Sequence, residues 1–275
     1  MNALCIQMTN SGPRAGSKKL RKKTLRKMKR LVNTVCEHGE RHLLRLEKAW
    51  GTTELSCAQK DHIAKRLRNL LGLKTRVIKQ AHERIIGERP VKNDEKLLSL
   101  YEQHASVYVR GKAGAECEFG LQCLVAESVD GLIMDWDVPG DQIAADSKSL
   151  LPSIERMLAA YGEGAIKTAI TDRGFTSRAN SKQLAELGIE DCTLPRDPQE
   201  LNRRMRNPKF ANLHRRRAQT EARIGIFKNC FVRRTVPAKG LDNQRIHIAW
   251  AVLAHNLWVI ARIIETTRTQ QNAAA

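Results

Sequence analysis

Near Asp94 the texture of the sequence changes, and a single architecture does not accommodate both sides of the change. Before it, apolar residues recur at helical spacing over long stretches. After it come glycines, short apolar runs and alternating side chains, the marks of strands and tight turns. A basic helical segment over residues 1–95 followed by an α/β domain that starts near Lys96 accounts for both textures. The length, 275 residues, is sufficient for a core domain with a helical annex.

In the helical part, residues 18–30 (KKLRKKTLRKMKR) carry nine basic side chains and no acidic one, and Leu20, Thr24, Met28 and Leu31 recur at helical spacing. Such a cationic helix suits contact with a phosphate backbone, which depends on salt and carries no sequence information. Lys22, Lys23 and Arg26 are its candidate DNA-binding residues; a solvated arm without a specific role is the plain alternative. The periodicity runs on through Leu43, Leu44 and Leu46 to Trp50, where Gly51, Thr52 and Thr53 break it. A second helix is expected from Ser56 to Ile86, with Ile63, Leu67, Leu70, Leu71, Val77, Ile78 and Ile85 on its buried side and a candidate joint at Gly72. Gly87 and Pro90 end it, which makes the segment a helical hairpin.

In the α/β part, residues 116–127 read as one strand, Gly131 closes a turn, and LIMDWDV returns as a second strand that Pro139 and Gly140 stop. A helix follows from Ala145 to Tyr161, then a third strand, AIKTAITD, that ends on Asp172. A short helix over Ser181 to Leu187, a strand over Ile189 to Leu194 and a basic stretch over 199–217 lead into a helix that bears Glu221. The helix from Asn243 to about Glu265 is apolar on most of its surface and is expected to sit in the core, followed by a frayed, disordered tail at 266–275. This order predicts an α/β fold, a mixed sheet flanked by helices. A doubly wound nucleotide-binding fold is disfavoured, because no Gly-rich phosphate loop follows a predicted strand and GKAG at 111–114 lacks the spacing of a Walker motif.

Charge narrows the partner. Lysine and arginine number 48 against 29 acidic residues, a formal +19, far beyond what solubility requires. Nucleic acid fits better than a membrane, because the apolar run from Ile246 to Ile264 is interrupted by His247, His255, Asn256 and Arg262. The first residues lack the pattern of a secretory leader, so a cytoplasmic protein is expected. Seven cysteines, at 5, 36, 57, 117, 123, 192 and 230, form no C-x-x-C pair and read as reduced thiols.

Two acidic residues stand out in these basic surroundings. Asp172 ends an apolar strand, where ligands gather, and Arg173 and Gly174 follow at once. Glu221 shares a helix face with Arg217, one turn before it, and Lys228, two turns after it. Cleaving a phosphodiester and then using the freed 3′ hydroxyl as a nucleophile both require charge relief at phosphorus. Magnesium or manganese held by carboxylates can supply it. Taken alone, each residue also suits a plain strand end or a surface ion pair.

TDRGF at 171–175 together with HRRRAQTEARIGIFKN at 214–229 resembles the catalytic core of the DDE transposases of bacterial insertion sequences, the broad IS4/IS5-like group with an RNase H-like fold. EFG at 118–120, Asp146 in AADS and WAVLAHNLWVIAR at 250–262 are similar to the same family, over roughly residues 96–265. The resemblance implies Asp172 and Glu221 as catalytic, metal-ligating residues for Mg2+ or Mn2+. It implies Arg173, Arg217 and Lys228 as DNA-binding neighbours, with Arg215 and Arg216 beside them, and His214 where the family has a tyrosine. Transposon-end DNA is then the partner, with a homo-oligomer possible. The family's first aspartate lies on a strand upstream of the hairpin, and no acidic residue precedes Lys18. Asp61 and Asp94 lie in a helix and at a helix junction, while Asp130, Asp135, Asp137, Asp141 and Asp146 come late in the order; of these Asp137 is the best substitute. The expectation is therefore an N-terminally shortened transposase with an incomplete RNase H-like sheet and impaired or absent chemistry. A missing strand should leave an unpaired sheet edge and poor solubility. A DNA-binding protein without catalysis, a metal-dependent nuclease outside transposition and a structural basic protein are the competing readings.

Overall fold

The structure, a computed structural model, describes residues 2–10, 16–92, 95–112, 115–140, 145–233 and 236–274. Asp94, Asp141 and the second half of GKAG lie outside them. The chain divides into two compact units, Met1–Val107 and Tyr108–Ala275, so the division falls later than the change of texture at residue 95.

The first unit is helical. It contains α1 (Asn2–Asn10), the long basic α2 (Ser17–Ala49), a 3-10 turn at Trp50–Thr52, α3 (Cys57–Gly72) and α4 (Lys74–Ile85). A reciprocal cap starts α3: Ser56 Oγ accepts from the Gln59 amide at 3.2 Å, and Gln59 Oε1 accepts from the Ser56 amide at 2.9 Å. The expected single helix is broken at Leu73, beside Gly72. Gly39 of α2 sits against Leu67 and Leu71 of α3, which is the contact that makes the hairpin. Ile63, assigned by periodicity to the buried side, is exposed, and its neighbour Ala64 is buried instead. Leu67, Leu70 and Leu71 keep the predicted side half-buried, so the departure is confined to the first turns of the helix.

The second unit mixes strands and helices, in agreement with the α/β class. The expected single mixed sheet takes the form of three two-stranded pairings among the described residues. A strand absent from the sequence reading, β1 (Ser106–Lys112), pairs with β2 (Ala115–Gly120). The run read as one strand at 116–127 breaks after Gly120, where Gln122 turns aside to donate to Asp146 Oδ1 at 2.7 Å. It resumes as β3 (Leu124–Glu127), antiparallel to β4 (Ile133–Asp137), with Val125 opposite Trp136. Their turn needs Gly131, which has φ +91°.

Helix α5 (Asp146–Tyr161) leads to β5 (Thr168–Ala169), and α6 (Arg178–Glu186) then connects it to the parallel β6 (Glu190–Asp191). Hydrogen bonds extend that pair in both directions, from the Glu190 amide to Lys167 O at 2.9 Å and from the Leu194 amide to Thr171 O at 3.2 Å. Leu150, Ile154, Ala169, Leu184 and Ile189 are buried together beneath it. α7 (Pro198–Met205) and α8 (Pro208–Ile226) follow, then a π-helical turn at Phe227–Val232 and α9 (Leu241–Ala274).

α9 departs most from expectation. Its Ile248, Ala251 and Val252 are buried against Ile133, Val138, Phe227 and Val232. The opposite side, with Ile246, Trp250, Leu253, Leu257 and Ile260, is exposed, so the helix is half embedded. The apolar composition fixed neither which face packs nor how far the helix runs; it continues through the presumed frayed tail to Ala274. By length and composition Leu241–Asn272 passes as a membrane-crossing helix, a property the sequence reading had set aside because of the polar interruptions. One of those interruptions has a structural role: Asn256 Oδ1 accepts from the Ile133 amide at 2.8 Å and its Nδ2 donates to Ile133 O at 2.9 Å, occupying the place of a strand neighbour beside β4.

Candidate active site

The parallel β5/β6 pair delivers Asp172 beyond the C-terminal end of its strands, the side of such a βαβ unit where ligands bind. Asp172 caps a 3-10 turn at Arg173–Phe175, its Oδ1 accepting from the Arg173 amide at 2.6 Å. Several bonds fix this turn. Buried Asn180 donates to Ser147 O at 2.8 Å and to Phe175 O at 3.0 Å. The Thr171 and Thr193 hydroxyls meet at 2.8 Å, and Thr176 donates to Leu194 O at 2.8 Å. The Asp146 carboxylate lies so close over Gly174 that a β-carbon there would overlap it, which explains the glycine of TDRGF.

Glu221 comes from α8, which starts on Pro208 with the Asn207 side chain accepting from the Lys209 amide at 2.9 Å. The rotation of α8 is set by its contacts with the β3–β4 hairpin. Thr220, next to Glu221, donates to Glu127 Oε1 at 2.6 Å, and Arg223 reaches the same oxygen at 3.4 Å. Arg216 donates to Val129 O in the hairpin turn at 2.8 Å. These contacts were missed by sequence reasoning; a carboxylate closing the apolar strand LVAE was the available signal.

With that rotation fixed, Arg217 Nη2 lies 2.7 Å from Glu221 Oε1 and 3.2 Å from Asp172 Oδ2. The two carboxylate oxygens therefore lie no further apart than the sum of those distances. The carboxylates are the open part of the cluster: the Asp172 and Glu221 side chains are 53% and 65% exposed, the Arg217 side chain 25%. Two negative charges around one positive leave this group of three with a net negative charge.

The other predicted residues are placed as follows. Arg173 is exposed, and its carbonyl accepts from Arg196 Nε at 3.4 Å. His214 is half-buried on α8, Arg215 is exposed and bonds Asn212, and Arg216 is committed to the hairpin. Lys228 is exposed in the π-helical turn; among the described residues the cation paired with Asp172 and Glu221 is Arg217. Lys22, Lys23 and Arg26 belong to α2 of the first unit, Lys23 and Arg26 exposed and Lys22 half-buried. Among the described residues no group of three or more His, Cys, Asp or Glu is arranged to hold a metal ion, so Asp137 does not join Asp172 and Glu221 in such a group. Asp135, its strand neighbour, is engaged by Ser153 and Arg156.

The donors suit Mg2+ or Mn2+: hard carboxylate oxygens, few in number and open to the phosphates and waters that complete magnesium's shell. Residues 93–257, more than half of the chain, match the family model described as transposase DDE domain. No curated protein and no solved structure matches the chain.

Proposed function

Because the chain belongs to the family of transposase DDE domains, we propose that it serves DNA transposition by metal-dependent strand cleavage and transfer, as a member of the IS4/IS5-like group with an RNase H-like core. Asp172 and Glu221 are two of the catalytic carboxylates and hold the Mg2+ or Mn2+. The observation that carries this reading is their convergence on Arg217 Nη2. A bound divalent ion there supplies charge relief at the scissile phosphorus.

The chain's own residues supply the rest. Arg217 occupies the two carboxylates until an ion displaces it, and is then positioned to pair with a phosphate oxygen. Arg173, Arg215 and Lys228 are exposed and can reach DNA phosphates near the turn and along α8. The Lys22, Lys23 and Arg26 face of α2 adds sequence-independent grip on the backbone. Cytoplasmic DNA carrying the element's ends is the proposed partner. Where the family uses three acidic residues, we assign Asp172 and Glu221 to two of them and propose impaired chemistry with DNA binding retained.

The test uses the purified chain, linear DNA carrying the element's ends, and magnesium or manganese. Manganese binding is followed by paramagnetic resonance, end nicking on sequencing gels. The expected result is DNA bound, manganese bound at least about tenfold more weakly after Glu221→Ala or Asp172→Ala, and little or no nicking in any of them. Vigorous nicking that disappears in the Glu221→Ala protein would show a complete active site and overturn the impairment. Manganese affinity indifferent to both substitutions would remove the carboxylate pair from the reading altogether.

A further inference from the structure

The 3-10 turn that Asp172 caps rests on the first turn of α5. Asp146, the first residue of that helix, is half-buried, and its carboxylate lies across Gly174. A β-carbon on Gly174 would overlap Asp146 Oδ2 and meet its Cβ and Cγ at 3.2 Å. The carboxylate is steered in turn by a third element: Gln122, in the break between β2 and β3, donates through Nε2 to Oδ1 at 2.7 Å. Only the nitrogen of that amide can face a carboxylate, so the orientation of Gln122 is fixed as well. One residue further along α5, Ser147 O accepts from the same Asn180 side chain that donates to Phe175 O. The turn is thus held to the start of α5 at two successive residues, Gly174 and Phe175.

We infer that Asp146 is a positioning residue for Asp172, acting through Gly174. The link runs through the two oxygens of Asp172. Oδ1 is tied to the Arg173 amide of the turn itself at 2.6 Å, while Oδ2 is the oxygen that meets Arg217 at 3.2 Å, beside Glu221. With one oxygen bound to the turn, any rocking of the turn carries the other with it. A carboxylate pair can share an ion only while each oxygen stays within about 0.5 Å of its productive place. The Asp172 side chain is 53% exposed and has little packing of its own to hold it there, so the seat of the turn decides its place. Asp146 is that seat on the Gly174 side. It belongs to no group of three or more metal-ligating side chains among the described residues, so it acts on the site through the backbone it presses on. The inference rests on the reading of Asp172 and Glu221 as the carboxylates that hold the metal, and adds to it a residue outside the pair.

The experiment follows manganese binding by paramagnetic titration, and urea unfolding without metal, in the full chain. The variants are Asp146→Asn, Asp146→Ala, Gly174→Ala and the double Asp146→Ala/Gly174→Ala, with Asp172→Ala as the reference. Asp146→Ala should weaken manganese binding about tenfold. Asp146→Asn keeps the shape across Gly174 and an oxygen for Gln122, so its loss should stay below about threefold. Gly174→Ala, whose methyl meets the carboxylate, should lose about as much as Asp146→Ala and unfold at lower urea. In the double variant the overlap is gone, so it should bind and unfold much as Asp146→Ala alone does, the two changes being coupled rather than additive. If Asp146→Ala does not fold, Gln122→Ala, which releases the carboxylate from its hydrogen bond, carries the test with an expected loss of at least about threefold. A folded Asp146→Ala protein that binds manganese as the natural chain does, whatever its urea midpoint, overturns the inference and leaves Asp146 a packing residue. Equal losses in the asparagine and alanine variants overturn it in favour of charge, and additive losses in the double variant show that Gly174 is not the link. Should Asp172→Ala itself leave manganese binding unchanged, the carboxylate-pair reading fails and the inference with it; failure with Asp172→Ala still impaired falls on Asp146 alone.

Discussion

Asp172 Oδ2 and Glu221 Oε1 share one nitrogen, Arg217 Nη2, at 3.2 and 2.7 Å. A strand end and a helix face from distant parts of the sequence thus hold two like charges together through a single cation. Any ion that uses both carboxylates competes with that guanidinium. Replacing Arg217 by methionine, which keeps an unbranched apolar stem and removes the charge, should therefore strengthen manganese binding about tenfold at low salt. Exposed ion pairs contribute little to stability, so the unfolding free energy should shift by less than about 1 kcal/mol. Paramagnetic titration and urea unfolding measure the two quantities. Weaker manganese binding in a folded Arg217→Met protein would mean that the carboxylates gather around arginine for structural reasons.

The cationic face of α2 yields a separate expectation. Thr24 and Leu25 are buried, so Lys23 and Arg26, on either side of them, project outward, with Lys22 half-buried beside them. If all three neutralise phosphates, changing them to glutamine should flatten the plot of log affinity against log salt by about 2 to 3, since each contact releases nearly one counterion. Affinity should fall alike for DNA of any sequence. Fluorescence anisotropy over a salt series reads the slope, and an unchanged slope would leave this face as a solvated arm.

What the sequence disclosed was local. Ser56 and Gly72 marked the ends of α3, Gly131 marked the hairpin turn, and the apolar run before Asp172 marked a strand whose ladder extends to Thr171. The four-residue spacing of Arg217 and Glu221 announced their pairing. That Arg217 would also meet Asp172 depends on the rotation of α8, which Glu127 and Val129 set from far away in the chain. The break after Gly120 was hidden because apolar alternation carries straight on through Leu121 and Cys123, while the cause, Gln122 reaching Asp146, is tertiary. Nor does an apolar helix declare which neighbours exist to cover it, which is why α9 was placed wholly in the core.

Asn256 offers a sharp stability test. Its amide satisfies both the N–H and the C=O of Ile133, a residue only 6% exposed. Asn256→Leu fills similar space and leaves both backbone groups without that partner, at a cost of about 2 to 4 kcal/mol. Asn256→Asp keeps the acceptor and removes the donor, so it should cost less than leucine unless the buried charge dominates. Urea denaturation measures each difference. A leucine protein within about 0.5 kcal/mol of the natural one would show that water can replace the amide at this edge.

Asp191 supplies the pH dependence. Burial by itself would raise its carboxyl; the Ser181 hydroxyl at 2.6 Å and the bonds from Thr193 outweigh that and hold it below the ordinary carboxylate range. These bonds tie α6 to β6 beneath the site. A carboxyl depressed in the folded chain binds its proton more readily once unfolded. Its contribution is therefore fully present above the unfolded value of about 3.9 and is lost as pH falls through the folded one. Asp191→Asn should accordingly be less stable at neutral pH, on the order of 1 kcal/mol after screening at this half-exposed position. The difference should shrink steadily below about pH 4. Glu190, depressed by Lys209, titrates nearby in both proteins, so the difference between them isolates Asp191. Urea unfolding of the pair from neutral pH to about pH 3 follows that difference. If it stays constant or widens in acid, the hydrogen bonds from Ser181 and Thr193 do not favour the ionised carboxylate.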